Sequence, residues 1–279
     1  MSITGMGDEA IDAAAAGSFA DHYGARAAVL PPVAIVIAAY NEEGAIGPVV
    51  EALPASVCGL SSAVIVVSDG SMDSTGKEAD SAGALVCDVP VNRGQGAALR
   101  LGYRLARDGG ARYIVTTDAD GQYNPAEIGR LLAPILAGKA DFVTGSRTKG
   151  SEETKDPVRK LGVRVFALTI STLTGQRVSD PSFGLRAMRA EVTGAVSLTQ
   201  PQYQAAELLI GVITHGYRVA EEPATIHKRK VGESKKGRNF LYGLRFAQVI
   251  LGTWWRERQR RAGGSAGRSP ASAKETGSS

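Results

Sequence analysis

Runs of β-branched and apolar residues alternate along this chain with segments in which apolar residues recur at helical spacing. Strands are predicted at VAIVIAAY (33–40), AVIVVSDGS (63–71), ALVCDVP (84–90), RYIVTTDAD (112–120) and DFVTGSR (141–147). Helices are predicted between them at residues 46–53, 74–83, 96–110 and 125–137. Strands that alternate with helices in this way form a mostly parallel sheet flanked by helices, so the pattern predicts an α/β fold.

Polar residues follow four of these strands at their carboxyl ends. The clusters are Tyr40-Asn41-Glu42, Ser68-Asp69-Gly70-Ser71, Asp118-Ala119-Asp120 and Gly145-Ser146-Arg147. In open α/β sheets, ligands bind beyond the carboxyl ends of the strands. The clusters therefore predict one site at one edge of the sheet, rich in acidic and hydroxyl groups.

Asp118 and Asp120 stand at the end of a predicted core strand with a single alanine between them. Two carboxylates held close together repel unless a proton or a cation lies between them. Magnesium prefers one or two carboxylates together with water and phosphate oxygens, and Gln122 could supply a neutral oxygen beside the pair. The pair predicts a site for Mg²⁺ or Mn²⁺ bound with a phosphate-bearing substrate. The alternative is a solvated turn, which Asp and Gly also favour.

Two further motifs have simpler explanations. After the second strand, Ser71 or Asp73 could simply cap the helix that begins near Ser74. The stretch NRGQGAALRLG (92–102) resembles a dinucleotide-binding loop, but it lacks the third glycine of that loop and follows the third strand rather than the first. A Rossmann dehydrogenase is therefore disfavoured.

The composition is that of an ordinary soluble protein that can bury a sizeable core. The chain has 279 residues, of which 43% are hydrophobic and 22% are charged. Its net charge of +4 and its pI of about 9.1 favour anionic partners without choosing among phosphate groups, membranes and nucleic acid. Cys58 and Cys87 lack metal-ligand spacing, so both are expected to be buried, free thiols of a reducing compartment.

Neither a secretory leader nor a membrane span is predicted. The first residues are acidic and rich in alanine, unlike the basic start of a leader. The best apolar stretch, residues 240–255, is interrupted by Arg245 and falls short of the roughly 18 apolar residues that a span needs. The protein is expected to be cytoplasmic, or peripheral on the cytoplasmic face of the membrane.

The predicted organisation has four parts. Residues 1–30 are expected to be a flexible extension, weakly ordered or loosely helical, and residues 31–239 form the α/β domain. Residues 240–261 form an amphipathic, basic helix, and the composition of residues 262–279 predicts a disordered tail.

The C-terminal helix has two possible roles. Its apolar residues recur at near-helical spacing and its end combines tryptophans with arginines: Leu241, Leu244, Val249 and Ile250, then Trp254, Trp255 and Arg256. Tryptophan beside arginine anchors helices at anionic membrane surfaces. The same pattern also fits a helix packed on the sheet, and the sequence leaves both interpretations open.

Seven motifs occur in order along the chain: AAYNEE, VSDGSMDST, NRGQGAALRLG, TTDADGQYNPAEI, FVTGSR, SDPSFGLRAM and ATIHKRKVGESK. In these motifs the chain resembles the inverting glycosyltransferases of family 2, which have the GT-A fold with its Rossmann-like nucleotide-sugar domain, over about residues 32–256. It is most similar to their polyprenyl-phosphate branch, typified by dolichol-phosphate mannose synthases. The resemblance implies transfer of mannose or glucose from a nucleoside-diphosphate sugar, of the GDP-mannose or UDP-glucose type, to a polyprenyl phosphate. It implies no nucleic-acid partner.

The resemblance and the chemistry of the residues together assign the predicted site. For the nucleotide sugar the residues are Ala39, Tyr40, Glu42, Ser68, Asp69, Gly94, Asp118, Ala119, Asp120, Arg229 and Lys235. For the metal they are Asp118, Asp120 and Gln122, for the acceptor phosphate Arg147, Asp180 and Arg186, and for catalysis Asp118, Asp120, Arg147 and Arg229. A phosphate monoester is already largely ionised at neutral pH, since its second pKa is about 6. Such an enzyme needs arginines that hold the nucleophile more than it needs a general base.

Three residues depart from the pattern of the family. Ser68 stands where an acid is common, Gln95 replaces a frequent lysine, and Phe183 replaces a serine associated with the acceptor phosphate. Phe183 and the missing membrane spans favour an alternative, transfer to a soluble or natural-product hydroxyl; with a lipid acceptor, the chain would work at the membrane surface or with a separate membrane subunit. A weaker alternative is a non-catalytic protein that binds anionic membranes, but such a protein gains nothing from clustered carboxylates.

Overall fold

The computed structural model describes residues 7–153, 157–228 and 239–266. The elements of its first half are α1 (Asp8–Tyr23), α2 (Ala25–Ala28), β1 (Val33–Ala39), α3 (Ile46–Ala52), β2 (Ser56–Val57), β3 (Leu60–Asp69), α4 (Thr75–Ser81), β4 (Leu85–Val89), α5 (Gln95–Asp108) and β5 (Tyr113–Asp118). Those of its second half are a 3₁₀ turn (Pro125–Glu127), α6 (Ile128–Leu136), β6 (Phe142–Glu152), α7 (Pro157–Thr174), β7 (Arg186–Arg189), α8 (Ala190–Ala195), α9 (Gln204–Thr214), β8 (Val219–Ile226) and α10 (Asn239–Ala266).

The strands of the described residues form one sheet in the order β2-β3-β1-β5-β7-β6-β8, with β4 also paired to β3. The pairs β1–β3, β1–β5, β3–β4 and β6–β8 are parallel, whereas β7 runs antiparallel to both β5 and β6. The prediction of a mostly parallel sheet flanked by helices, with a C-terminal helix, is confirmed. The sequence pattern identified neither β7, which reverses the direction of the sheet, nor β8.

The central strand β1 is covered on both faces. Its residues 33–37 are fully buried, and alternate side chains face opposite layers because successive residues of a strand point to opposite sides. Val33 and Ile35 pack in one apolar cluster with α6, and Ala34 and Val36 pack in another with α5. Helix α5 approaches β1 closely at Gly102, where a β-carbon would lie 2.4 Å from Cγ1 of Val36.

Helix α1 departs from the expectation of a weakly ordered extension, because residues 8–23 form a regular helix that packs on β4. Ile11, Ala15, Phe19 and Tyr23 recur every four residues, and all four are buried. The hydroxyl of Tyr23 accepts a hydrogen bond from the backbone N–H of Val86 at 2.9 Å. Helix α1 therefore covers the edge strand β4, whose backbone would otherwise be left open to pairing.

Helix α10 packs on α9 and α7 rather than on the sheet itself. Phe246 is buried with its ring centroid 4.5 Å from that of Phe166, and the indole N–H of Trp254 donates to the carbonyl of Leu173 at 2.8 Å. Of the apolar residues that predicted an interfacial face, Val249 and Ile250 are buried against the protein, whereas the side chain of Leu241 lies outside the described residues.

Two smaller predictions, the start of the disordered tail and the burial of Cys58, were wrong. The helix continues to residue 266, so the first residues assigned to a disordered tail are helical, and residues 267–279 lie outside the described part of the chain. Both cysteines are free, as predicted, but Cys58 is exposed rather than buried. None of the helices in the described ranges is both long enough and apolar enough to cross a membrane.

Candidate active site

The carboxyl ends of β1, β3 and β5 meet at one edge of the sheet. Ala39, the last residue of β1, pairs with Ser68 on β3, and its neighbour Ala38 pairs with Asp118 on β5. Asp69 follows Ser68 and ends its strand. The structure therefore brings together three of the polar clusters that the sequence predicted to lie at one edge.

The loops after β1 and β3 are held to each other by hydrogen bonds. The backbone N–H of Asn41 donates to the Ser71 hydroxyl at 3.2 Å, and the N–H of Glu42 donates to the Thr75 hydroxyl at 2.8 Å. Tyr40 precedes them with 38% of its surface exposed. Ser71 thus contacts the neighbouring loop, and the two loops form one wall of the site.

The acid pair lies on a tight turn. Asp118 ends β5, and Asp120 is buried, with the backbone N–H of Gln122 donating to its Oδ1 at 3.1 Å. Gly121, between Asp120 and Gln122, has a φ of 69°, a left-handed conformation that favours glycine. The side-chain amide of Gln95, at the start of α5, donates to Oδ1 of Asp118 at 3.2 Å. The glycine-rich turn therefore reaches the acid pair.

The end of β8 is fixed beside this turn. The side-chain amide of Gln122 donates to the carbonyl of His227 at 3.0 Å, and the backbone N–H of His227 donates to the carbonyl of Gln122 at 2.8 Å. The amide nitrogen of Gln122 is therefore engaged, which leaves its side-chain oxygen as the atom that could face a metal. Arg229 and Lys235 lie outside the described residues.

The side chain of Asp69 holds the glycine-rich loop by hydrogen bonds to its backbone. It is 2% exposed, and its Oδ2 accepts hydrogen bonds from the backbone N–H groups of Arg93 at 2.9 Å and Gly94 at 2.7 Å. Burial raises the pKa of this carboxyl, although the two N–H groups oppose the shift. Its other oxygen, Oδ1, is buried without a hydrogen-bond partner among the described residues. A buried acceptor in that state costs free energy that a ligand N–H or O–H would recover.

A second polar cluster lies on β6 and the segment before β7. The Nε of Arg147 donates to Oδ2 of Asp180 at 2.7 Å, and its Nη2 donates to the Ser182 hydroxyl at 3.1 Å. Arg147 is 8% exposed and Asp180 is fully buried. Burial tends to lower the pKa of Arg147, but the Asp180 carboxylate outweighs it and raises this pKa above its ordinary value. These predicted acceptor residues therefore form a buried ion pair.

The other residues assigned to the acceptor are buried as well. Arg186 on β7 is 3% exposed, and its guanidinium donates to the carbonyl of Phe183. Burial lowers the pKa of Arg186, while the nearby Asp118 and Asp180 act in the opposite direction. Phe183 is fully buried, with its ring centroid 5.0 Å from that of Tyr123. Arg186 thus places positive charge near Asp118, and Phe183 fills core space beside Tyr123.

The donor set fits a divalent ion that shares its shell with a substrate. In the described ranges, no group of three His, Cys, Asp or Glu side chains is arranged to hold a metal. A divalent ion at Asp118 and Asp120 would therefore have at most these two carboxylates as ligands, and phosphate oxygens and water would have to complete its shell. This is the kind of coordination that magnesium favours.

A model of glycosyl transferase family 2 matches residues 34–196, more than half of the chain. The chain is a family 2 glycosyltransferase. Relatives of this glycosyltransferase include the dolichyl-phosphate hexose transferase of Haloferax volcanii, which is 34% identical over 82% of this chain and 96% of that protein. The undecaprenyl-phosphate mannosyltransferase of Micrococcus luteus is 31% identical over 73% of this chain and 86% of that protein. The predicted family is confirmed, and these relatives fall in the predicted branch.

Solved structures share the fold of the glycosyltransferase. The glucosyl-3-phosphoglycerate synthase of Mycobacterium tuberculosis, crystallised with Mn²⁺, uridine diphosphate and glucosyl-3-phosphoglycerate, superposes with a TM-score of 0.66. The alignment covers 90% of this chain and 85% of that one at 22% identity. At that identity the likeness establishes the GT-A-like fold alone.

Two residues of the glycosyltransferase site, Tyr123 and Gly184, were not predicted from sequence. Tyr123 is partly buried beside the acid pair, and its hydroxyl accepts a hydrogen bond from the backbone N–H of Gly184 at 2.9 Å. Burial, followed by the charge of Asp118, raises the pKa of Tyr123 well above its ordinary value. Tyr123 lies in the motif TTDADGQYNPAEI and Gly184 in the motif SDPSFGLRAM, so each motif could be recognised in the sequence. The contact between them could not, because it depends on the antiparallel strand β7.

Proposed function

We propose that this glycosyltransferase moves a hexose from a nucleoside-diphosphate sugar to a polyprenyl phosphate, with inversion, in one displacement. The observation that carries the proposal is the meeting of three groups at one sheet edge: the carboxylates of Asp118 and Asp120, and the Asp69 oxygen that has no hydrogen-bond partner within the described ranges. A nucleoside diphosphate sugar presents the complementary groups, namely N–H and O–H donors on its base and ribose and a diphosphate that binds metal.

The donor's nucleoside would lie against the wall formed after β1 and β3. Oδ1 of Asp69 would accept a hydrogen bond from the base or ribose, because it is buried and lacks a partner among the described residues. Tyr40, which is partly exposed, would stack on the base, and Glu42 would accept a further hydrogen bond. Ala39, Ser68, Gly94 and Ala119 would line the pocket, and Arg229 and Lys235 would bind the diphosphate.

The diphosphate would lie over the acid pair. Asp118 and Asp120, with the side-chain oxygen of Gln122, would hold Mg²⁺ or Mn²⁺, and the structural relative named above was crystallised with Mn²⁺. Such an ion, when bound, offsets the negative charge that develops on the departing diphosphate. Arg229 would add a cationic hydrogen bond to the same oxygens.

The relatives favour a lipid-linked acceptor, since their names specify dolichyl phosphate and undecaprenyl phosphate. A phosphate nucleophile is already ionised, so it needs positioning rather than deprotonation. Arg147, with Asp180 and Arg186, would provide that positioning electrostatically. Arg147 and Arg186 are almost fully buried, so direct contact with the phosphate would require their side chains to turn outward. Electrostatic attraction of the phosphate from their buried positions is the simpler role.

Exposed apolar side chains on two neighbouring helices support action at a membrane surface. On α7 these are Leu161, Val165 and Leu168, and on α10 they are Leu244, Leu251 and Trp255. Within each set the residues are three, four or seven positions apart, which places the set on one outward face of its helix. Residues of this kind near arginines suit a peripheral helix pair on an anionic leaflet.

The decisive experiment is a panel of nucleoside-diphosphate sugars incubated with and without a short-chain polyprenyl phosphate, with product masses as the readout. A hexosyl polyprenyl phosphate from one donor, dependent on Mg²⁺ or Mn²⁺, is the expected result. Transfer to an added soluble hydroxyl compound but never to the lipid phosphate would establish the alternative acceptor. Failure to bind or turn over any nucleoside-diphosphate sugar would overturn the proposal.

A further inference from the structure

Helix α1 lies outside the segment that the family model matches, yet its first turns contact the glycine-rich loop. Oδ1 of Asp12 lies 2.6 Å from Nη2 of Arg93. The Nη1 of the same guanidinium donates to the backbone carbonyl of Asp8 at 3.2 Å. The side chain of Arg93 is 7% exposed and that of Asp12 is 17% exposed, so this is a largely buried ion pair.

Arg93 joins α1 to the donor pocket because its two ends bind different partners. Its guanidinium contacts α1, and its backbone N–H donates to Oδ2 of Asp69 at 2.9 Å. The next N–H, that of Gly94, donates to the same oxygen at 2.7 Å. Oδ2 of Asp69 is therefore oriented by the loop, and the position of the loop is set partly by Asp12.

The orientation of Asp69 matters because its second oxygen is the one available to a ligand. Oδ1 of Asp69 and Nε of Arg93 are both buried without a hydrogen-bond partner among the described residues. With one carboxylate oxygen held by two N–H groups, the direction of the other follows from the position of residues 93–94. A displacement of this loop would therefore misdirect the acceptor that meets the donor's base or ribose.

We propose that Asp12 is a positioning residue of the donor site, which makes α1 a working part of the nucleotide pocket rather than only a cover for the sheet edge. The inference rests on the proposed function, since it assumes that Asp69 meets a nucleoside-diphosphate sugar. It predicts that loss of the Asp12 carboxylate weakens donor binding and leaves the chemical step largely intact.

The opposite end of α1 offers a matched control. Tyr23 donates to Oδ1 of Asp80 at 2.7 Å and accepts from the N–H of Val86, so it fixes α1 to α4 and β4 without contacting the loop. Tyr23→Phe removes those hydrogen bonds and should lower stability while leaving donor affinity within about twofold. Asp21→Asn, at an exposed position of the same helix, controls for a change of net charge.

The experiment measures KM for the donor, kcat, the dissociation constant of the nucleoside diphosphate and Tm for wild type, Asp12→Ala, Arg93→Ala and the double variant. We expect Asp12→Ala to raise KM and the dissociation constant about tenfold with little change in kcat. Arg93→Ala should have a similar effect, and the double variant should be no worse than either single variant, because both remove one link. Asp12→Glu should recover part of the affinity.

Three results would overturn the inference. The first is a donor affinity of Asp12→Ala equal to that of wild type, while wild type binds nucleoside diphosphate; this leaves the proposed function standing. The second is a Tyr23→Phe variant that loses affinity as much as Asp12→Ala does, since α1 would then act only through general stability. The third is a wild-type protein that binds no nucleoside diphosphate, which would remove the proposed function as well.

Discussion

Gly184 and Asp118 lie so close together that a β-carbon on Gly184 would stand 2.9 Å from Oδ2 of Asp118. The same β-carbon would lie 2.7 Å from the hydroxyl of Tyr123. Neither neighbour can withdraw easily, because Tyr123 is held by the backbone of Gly184 and Asp118 by Gln95. The segment before β7 therefore limits where the first carboxylate of the acid pair can point.

Gly184→Ala should displace Asp118 and weaken metal binding. We expect manganese affinity to fall about 10-fold to 100-fold, as when a partner that orients a ligand is lost. Isothermal titration with Mn²⁺ and nucleoside diphosphate measures this directly. Gly129→Ala is the control, since a β-carbon there would meet only the Cys58 sulfur at an ordinary 3.7 Å. Equal affinities for the two variants would contradict the proposed role of Asp118.

Asp120→Asn tests the acid pair without changing side-chain shape. The substitution removes one of two negative charges and keeps a side-chain oxygen that can still accept the hydrogen bond from the N–H of Gln122. The fold should persist, and the turnover of every nucleoside-diphosphate sugar should fall about 100-fold or more, since charge stabilisation of the leaving group is typically worth that much. Circular dichroism checks the fold, and unchanged turnover would remove Asp120 from the proposed metal site.

Phe183→Ser introduces the serine that the family commonly has at this position, and we expect it to destabilise the protein. Phe183 is fully buried, packs on Tyr123 and lies over Gly145, where a β-carbon would come within 2.4 Å of its ring. Removing a ring from such a position leaves a cavity and costs about 3 to 5 kcal/mol. Urea denaturation measures the loss, and Phe183→Leu should lose less. A variant as stable as wild type would show that the site can hold a serine after all.

The strands β1, β3 and β5 were predictable because each contains a run of β-branched and apolar residues. Val33, Ile65 and Val115 lie in such runs, and parallel strands buried on both faces require that composition. Strand β7 was not predictable in the same way, since it has four residues and is stabilised by pairing with β5 and β6. Non-local pairing overrides local pattern in a strand of that length.

Helix α1 carries an apolar pattern in its sequence that its alanine-rich composition obscures. Its alanine-rich composition suggested weak order, yet Ile11, Phe19 and Tyr23 share one face with Ala15. In the candidate site, motifs identified which residues gather at the sheet edge but not which of them bind each other. The Arg147–Asp180 ion pair and the Gln122–His227 hydrogen bonds join residues far apart in sequence, and nothing local in either motif specifies the partner.

The exposed stripe on α10 predicts binding to anionic vesicles. Leu251→Ser combined with Trp255→Ser should reduce the bound fraction severalfold, because both side chains are more than half exposed and would insert into the interface. Stability should change little, as is usual for exposed positions. Val29→Ser, at an apolar residue that is 78% exposed just after α2, is the control. Sedimentation with vesicles measures the effect, and equal binding by all three proteins would rule out this helix as the anchor.

Asp141, just before β6, should make stability depend on pH in the acid range. Its carboxylate accepts hydrogen bonds from Nε and Nη2 of Arg218 and from Nε of Arg189, and the bonds from Arg218 lower its pKa from 3.8 to about 2. A carboxyl with a lower pKa in the folded state stabilises the protein above the unfolded pKa, and that contribution is lost as pH falls from about 4 to about 2. Asp141→Asn should therefore cost about 1 to 2 kcal/mol at pH 7, less than the whole shift implies because water screens the half-exposed Arg218.

Urea denaturation of wild type and Asp141→Asn between pH 7 and pH 2 checks this expectation, since the difference in unfolding free energy should shrink below about pH 4 and nearly vanish at pH 2. Asp108→Asn provides the comparison, because Asp108 pairs with Arg104 at 3.4 Å on an exposed helix face and should contribute at most about 0.5 kcal/mol at any pH. A difference for Asp141 that stays constant across this range would mean that the carboxylate acts through its shape and hydrogen bonds rather than its charge. Because Asp141 precedes the amino end of β6, whereas the candidate site lies at the carboxyl ends of the strands, the variant should keep wild-type donor affinity, which separates this effect from the site.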